Sequence, residues 1–112
     1  MTTDLPDADR IAAAVLRQPA VAALHGGVFG EVATYLPGRR VTGVQVGGDR
    51  IAVHVTTILG EPMNQVAARI REIVVPLADG HPVDVVIEDC VSAADAATAH
   101  TVDTAGADSE SG

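Results

Sequence analysis

Four histidines and a single cysteine are the residues of this 112-residue chain best suited to metal binding or nucleophilic chemistry. Zinc sites draw such ligands from closely spaced pairs. His25, His54, His81 and His100 stand far apart, and Cys90 has no cysteine partner, so no metal ligands are assigned. A catalytic thiol needs surroundings that lower its pKa and a base within reach. Cys90 instead follows Glu88 and Asp89, whose charges oppose thiolate formation, and Ser92 stands at the edge of an acidic stretch. Nothing pairs a nucleophile with a base by spacing. No catalytic residue, no enzymatic activity and no cofactor are expected.

The densest set of special residues is GGVFGEVATYLPGRR, residues 26–40. Gly26, Gly27, Gly30 and Gly38 are its candidate loop-backbone positions. They do not form the dinucleotide pattern of three glycines. Gly27-Val28-Phe29-Gly30 does match the four-residue clamp of KH domains. That clamp joins two helices and carries basic residues, whereas Glu31 follows here, so the match is read as accidental.

Arg39 and Arg40, with Arg50 expected nearby across a hairpin, make the one basic cluster. Adjacent guanidinium groups hold a phosphate or a carboxylate through charge-assisted bonds. Pairing with Glu31, Asp49 or other acids of the chain is the favoured alternative. Phe29 and Tyr35 are the only aromatics. Buried, they would anchor the loop; exposed, they would dominate an interface. Loop anchoring is the favoured role, and the two can coexist. Phe29, Tyr35, Arg39 and Arg40 are the candidate interaction residues.

These residues need elements to position them. Asp7 or Asp4 can cap a first helix carrying Ile11, Ala14 and Val15, backed by Leu16 and stopped by Pro19. Residues 21–24 suit a short strand. Residues 26–40 read as one long Gly-rich connection, a length often tied to function. Thr42, Val44 and Val46 alternate with Val41, Gly43 and Gln45, and Gly47-Gly48-Asp49-Arg50 supplies a hairpin turn. Ile51, Val53, Val55 and Thr57 then share one face of the return strand, with Ala52, His54 and Thr56 on the other.

Pro62 suits the first turn of a second helix, whose Val66, Ile70, Ile73, Val74 and Leu77 form a continuous apolar stripe. Pro76 kinks or ends that helix, and Gly80 provides a stop. Residues 82–89 form a last strand with Val83, Val85 and Ile87 on one face. Strand, helix and strand across residues 51–89 imply a right-handed crossover between parallel strands. The expected fold is α+β: a single small domain with a mixed three- to four-stranded sheet and two helices packed on one face, in the order α-(β)-β-β-α-β. An exposed edge of that sheet would give a physical route to strand addition.

Composition bounds the partners. Hydrophobic residues make up 47% of the chain, enough for a core, which must be aliphatic. Seven arginines and no lysine against fifteen acids leave a net charge of −8, which repels phosphate backbones and anionic leaflets. No nucleic acid and no direct membrane insertion are therefore expected. Residues 1–10 lack the pattern of a secretory signal. The longest apolar run, residues 11–16, is far short of the roughly 20 residues of a membrane helix. The expected location is cytoplasmic.

The segment LHGGVFGEVATYLPGRRVTGVQV, residues 24–46, resembles the actinobacterial branch of the alkaline shock protein family, the general or envelope stress response proteins. The similarity continues through IAVHVTTILG, the helix with Arg69-Ile70-Arg71, and the closing VDVVIEDC. It implies a domain linked to cell-envelope stress with no enzymatic activity. It also implies self-association or docking to a membrane-anchored envelope protein, which would be the chain's only tie to a membrane. Residues 1–10 are expected to be a lead-in, 11–90 the alkaline-shock-like domain, and 91–112 an acidic disordered tail. The expected function is a non-enzymatic interaction or scaffolding module. The alternative is a small anion- or nucleotide-binding domain using loop 26–40.

Overall fold

The structure is a computed structural model that describes residues 6–96. Helix α1 spans Ala8–Leu16. The Asp7 carboxylate caps it, accepting from the N–H groups of Asp9 (2.9 Å) and Arg10 (3.2 Å), two donors that the first turn leaves without helical partners. Ala8 is buried, so the folded domain begins inside the expected lead-in rather than at residue 11. Ile11, Ala12, Ala14 and Val15 face the core. Leu16 does not back them: it is 49% exposed, because its position falls on the far flank of the apolar stripe.

Strand β5 (Ile51–Ile58) carries the main sheet. Along one side it pairs in parallel with β6 (Val83–Val91) over its whole length. Its other side is shared by two short antiparallel strands, β4 (Val44–Val46) against Ile51 to Val53 and β1 (Val21–Leu24) against Val55 to Thr57. The handover falls at His54. Its N–H donates to the Gly43 carbonyl (2.9 Å), and its carbonyl accepts from His25 N–H (2.8 Å).

Gly43 breaks the expected continuous strand over residues 41–46. It adopts φ +86°, where a side chain is strained. As a result Val41 and Val44, three apart, are both buried, which strict alternation forbids. The chain before Gly43 leaves the main sheet. Strand β3 (Arg39–Thr42) pairs instead with β2 (Ala33–Leu36) in a separate hairpin. Pro37 and Gly38 turn it, Gly38 at φ +77° as the third residue of a type II turn requires. The long connection expected over 26–40 thus contains one strand and the start of another. Propensity missed them because each has only four residues.

Helix α2 spans Met63–Val74, with Pro62 at the cap position rather than in the first turn, and buries Val66, Ile70 and Val74. Pro76 converts the end into a 3-10 turn, Val75–Leu77. Both helices pack on one face of the sheet, joining Ile11, Val15, Val66, Ile70 and Val74 to Val44, Ile51, Val53 and Val55 in a single core. Thr57 extends that buried face. The opposite face carries Ala52, His54 and Thr56, and neither α1 nor α2 packs on it. The domain is α+β with a mixed sheet, and its separate β2–β3 hairpin adds strands to the expected order. Strand β6 includes Val91, which the expected boundary gave to the tail. Residues 93–96 then begin a helical turn, with the Ser92 hydroxyl accepting from Asp95 N–H (3.0 Å). Residues 91–96 are thus ordered where a disordered tail was expected, and the rest of that expectation falls on residues 97–112, outside the described residues.

Candidate interaction surface

Between β1 and β2 the chain makes a tight, internally bonded turn. Gly26 C=O accepts from Val32 N–H (2.8 Å), and Gly27 C=O accepts from Gly30 N–H (3.2 Å). The Gly27 N–H donates to His25 Nδ1 (2.9 Å), and Phe29 N–H donates to Glu31 Oε1 (3.0 Å). Gly27 is at φ +86°, and a Cβ there would lie 2.7 Å from a Glu31 carboxylate oxygen. Glycine at 27 therefore lets Glu31 fold back onto the turn and bond its backbone. At the tip stand Val28 and Phe29, 79% and 90% exposed.

The geometry settles three sequence expectations about this segment. Phe29 does not anchor the loop; it projects from it. The turn joins two strands, not two helices, and places an acid rather than a base at its backbone, unlike the setting of the KH clamp. Tyr35 lies on strand β2 rather than in a connection, and it too is exposed, at 70%.

On the hairpin, Tyr35 stands opposite Arg40, and Leu36 stands opposite Arg39. Alternation sends neighbours on a strand to opposite faces, which separates the two arginines. Arg39 meets helix α1, where its guanidinium forks onto both oxygens of Asp9 (2.7 and 2.5 Å). The hydrogen bond from Arg39 is the main cause that holds the Asp9 carboxyl below its usual value, and the Asp9 bond raises Arg39 in turn. Arg40 is exposed beside Tyr35, with no ion pair among the described residues.

Arg50 does not join Arg39 and Arg40 in a basic cluster. It pairs with Asp84 on β6. Arg39 and Arg50 do border one depression of about 900 Å³, together with Tyr35, Thr34 and Gln45. Both guanidinium groups there already meet a carboxylate of the chain, so an anion would have to displace Asp9 or Asp84. This is the self-pairing that the sequence favoured.

Three polar contacts had no sequence signal beyond residue type. The Thr34 hydroxyl donates to Val44 C=O and accepts from Val46 N–H (3.0 Å), which fastens the hairpin to the outer edge of β4. His54 and Glu88 pair on the sheet face opposite α1 and α2, both largely shielded from solvent. Glu31 staples the Phe29 turn. Elsewhere, Cys90 is a free, half-buried thiol on β6. Among the described residues no three metal-ligating side chains converge. No helix of the described residues is long and apolar enough to cross a membrane.

The chain matches no protein-family model, no curated protein and no solved structure.

Proposed function

We propose that this protein is a non-enzymatic interaction module. The carrying observation is that both of its aromatics are exposed on ordered backbone, Phe29 on a turn bonded by Glu31 and Tyr35 on a hairpin opposite Arg40. Exposing an aromatic forgoes the largest apolar contribution that a small aliphatic core could receive. Pre-ordered aromatic and arginine side chains also lose little entropy on binding, and these types are enriched at interface hot spots. Val28 and Phe29 on the turn, and Tyr35 with Arg40 on the hairpin, dock a second copy or a membrane-anchored envelope protein in the cytoplasm. The likeness of residues 24–46 to envelope stress response proteins supports that setting. Net charge −8 argues against nucleic-acid partners.

Light scattering of the full chain and capture from crosslinked cells test the proposal. Phe29→Ala is expected to weaken self-association or capture while leaving the thermal unfolding midpoint nearly unchanged. Unaltered association and unaltered capture in a folded Phe29→Ala variant would overturn it.

A further inference from the structure

One edge of the main sheet is closed and another is open. At β4, the Thr34 hydroxyl occupies the outward carbonyl of Val44 and N–H of Val46. Among the described residues, strand β6 pairs with another strand on one side only, with β5. Backbone groups along such a strand face its two sides in alternation, and two bonds fix the phase. The Pro82 carbonyl faces β5, accepting from Ile51 N–H (2.9 Å). The next carbonyl, that of Val83, faces outward and accepts from Arg71 Nε (3.2 Å).

Val85 and Ile87 therefore present their N–H and C=O groups outward. Beyond the irregularity after the Val55 and Ile87 pair, Val91 C=O faces inward to Leu59 N–H (2.8 Å), which turns Cys90 outward. The Cys90 N–H is met by the Asp89 carboxylate (2.8 Å). The edge is thus capped at one end by Arg71 and at the other by Asp89. Across Val85 and Ile87, no group of the described residues bonds it.

An edge of this kind accepts an added strand, with backbone bonds giving affinity and flanking side chains giving selectivity. The flanking side chains are distinctive. Asp84, Val86 and Glu88 lie on the face opposite α1 and α2, alternating with Val85 and Ile87 on the core side. With Asp89, the strand carries three acids and no base. Although Arg50 and His54 each meet one oxygen of Asp84 and Glu88, the other oxygen of each carboxylate is left to accept a further donor. A second copy offering the same edge would set acids against acids, an unfavourable cross-strand arrangement.

We propose that the open edge at Val85 and Ile87 binds an extended segment of a different protein in which basic and apolar residues alternate. Its basic residues lie on the face opposite α1 and α2, toward the carboxylate oxygens of Asp84 and Glu88 that Arg50 and His54 leave open, and its apolar residues continue the rows of Val85 and Ile87. This rests on the interaction-module reading but uses a surface separate from the Phe29 turn.

The test is amide hydrogen exchange on the full chain, with a synthetic hexapeptide alternating arginine and valine, its ends blocked, as the probe. Saturating peptide is expected to slow the Val85 and Ile87 amides at least about tenfold while leaving Asp84 and Val86, already bonded to β5, unchanged. Val86→Lys, on the exposed side of the strand, is expected to weaken peptide binding at least about threefold through like-charge repulsion. Phe29→Ala is expected to leave peptide binding intact. That variant tests the other surface, so the two readings fail separately. Absence of binding, or binding without the alternating protection, overturns the proposal. Equal protection by a glutamate–valine peptide overturns its charge selectivity. Protection that rises with protein concentration alone assigns the edge to a second copy and overturns the choice of partner.

Discussion

Gly43 and Leu24 approach so closely that a Cβ at position 43 would lie 2.6 Å from the Leu24 Cβ. They meet where β1 and β4 converge on the same side of β5, and Gly43 also contributes the carbonyl that His54 N–H bonds. The closeness is a consequence of seating two strands along one neighbour.

Gly43→Ala is expected to be far costlier than Gly30→Ala. Both glycines have positive φ, +86° and +73°, so both variants carry a left-handed backbone penalty of about 1–2 kcal/mol. Only position 43 adds a steric clash, since a Cβ at Gly30 would meet nothing within 4 Å. Overpacking of this kind adds about 1–3 kcal/mol. Urea denaturation of the two variants measures the difference, and equal losses would show that the strands separate without cost.

Ile70→Ala is expected to destabilise the domain by about 2–5 kcal/mol. Ile70 is fully buried at the middle of the α2 stripe, between Val66 and Val74. Chemical denaturation provides the value, and a near-neutral result would remove α2 from the core.

Tyr35→Ala combined with Arg40→Ala is expected to change stability by no more than about 0.5 kcal/mol, as for exposed positions without buried partners. Association measured on the same sample by light scattering, or partner capture, should fall. A loss of about 3 kcal/mol or more with association unchanged would make the hairpin face structural only.

The Asp9–Arg39 pair predicts a signature in acid. Its folded-state pKa is lowered, so the Asp9 contribution is present above the unfolded carboxylate value of about 3.9. That contribution is lost as pH falls through the lower folded value. Thermal unfolding of the wild type and Asp9→Asn from neutral pH downward should therefore show the wild-type advantage shrinking below about pH 4. Because both side chains are exposed, the same advantage should shrink at high salt. A pH-independent difference would mean that the carboxylate acts only as a spacer.

Periodicity made the long elements legible. The α2 stripe and the alternating Ile51, Val53, Val55 and Thr57 needed no tertiary information, since each repeats one period over several turns or pleats. The hairpin was hidden for the opposite reason. Its strands have four residues each, and Gly43 reverses the alternation where β3 gives way to β4. Residue type singled out Phe29, Tyr35, Arg39 and Arg40 as candidates. It could not say which would be free, because that depends on Asp9, thirty residues from Arg39, and on the backbone fold that brings Glu31 to the turn. Arg39 is consumed by the helix, and Arg40 is left beside Tyr35.

The position of β5 has a consequence for the order of assembly. It bonds to residues about thirty positions earlier, in β1, and about thirty later, in β6. Such distant pairings must close long loops before they are rewarded, which slows folding relative to helical bundles of this size. During synthesis the chain can pair β5 with β4 and β1 first. One whole side of β5, from Ile51 to Ile58, stays unbonded until residues 83–91 have emerged. A nascent chain paused in α2 would therefore display a naked eight-residue strand edge, and would be at its most prone to aggregate at that point.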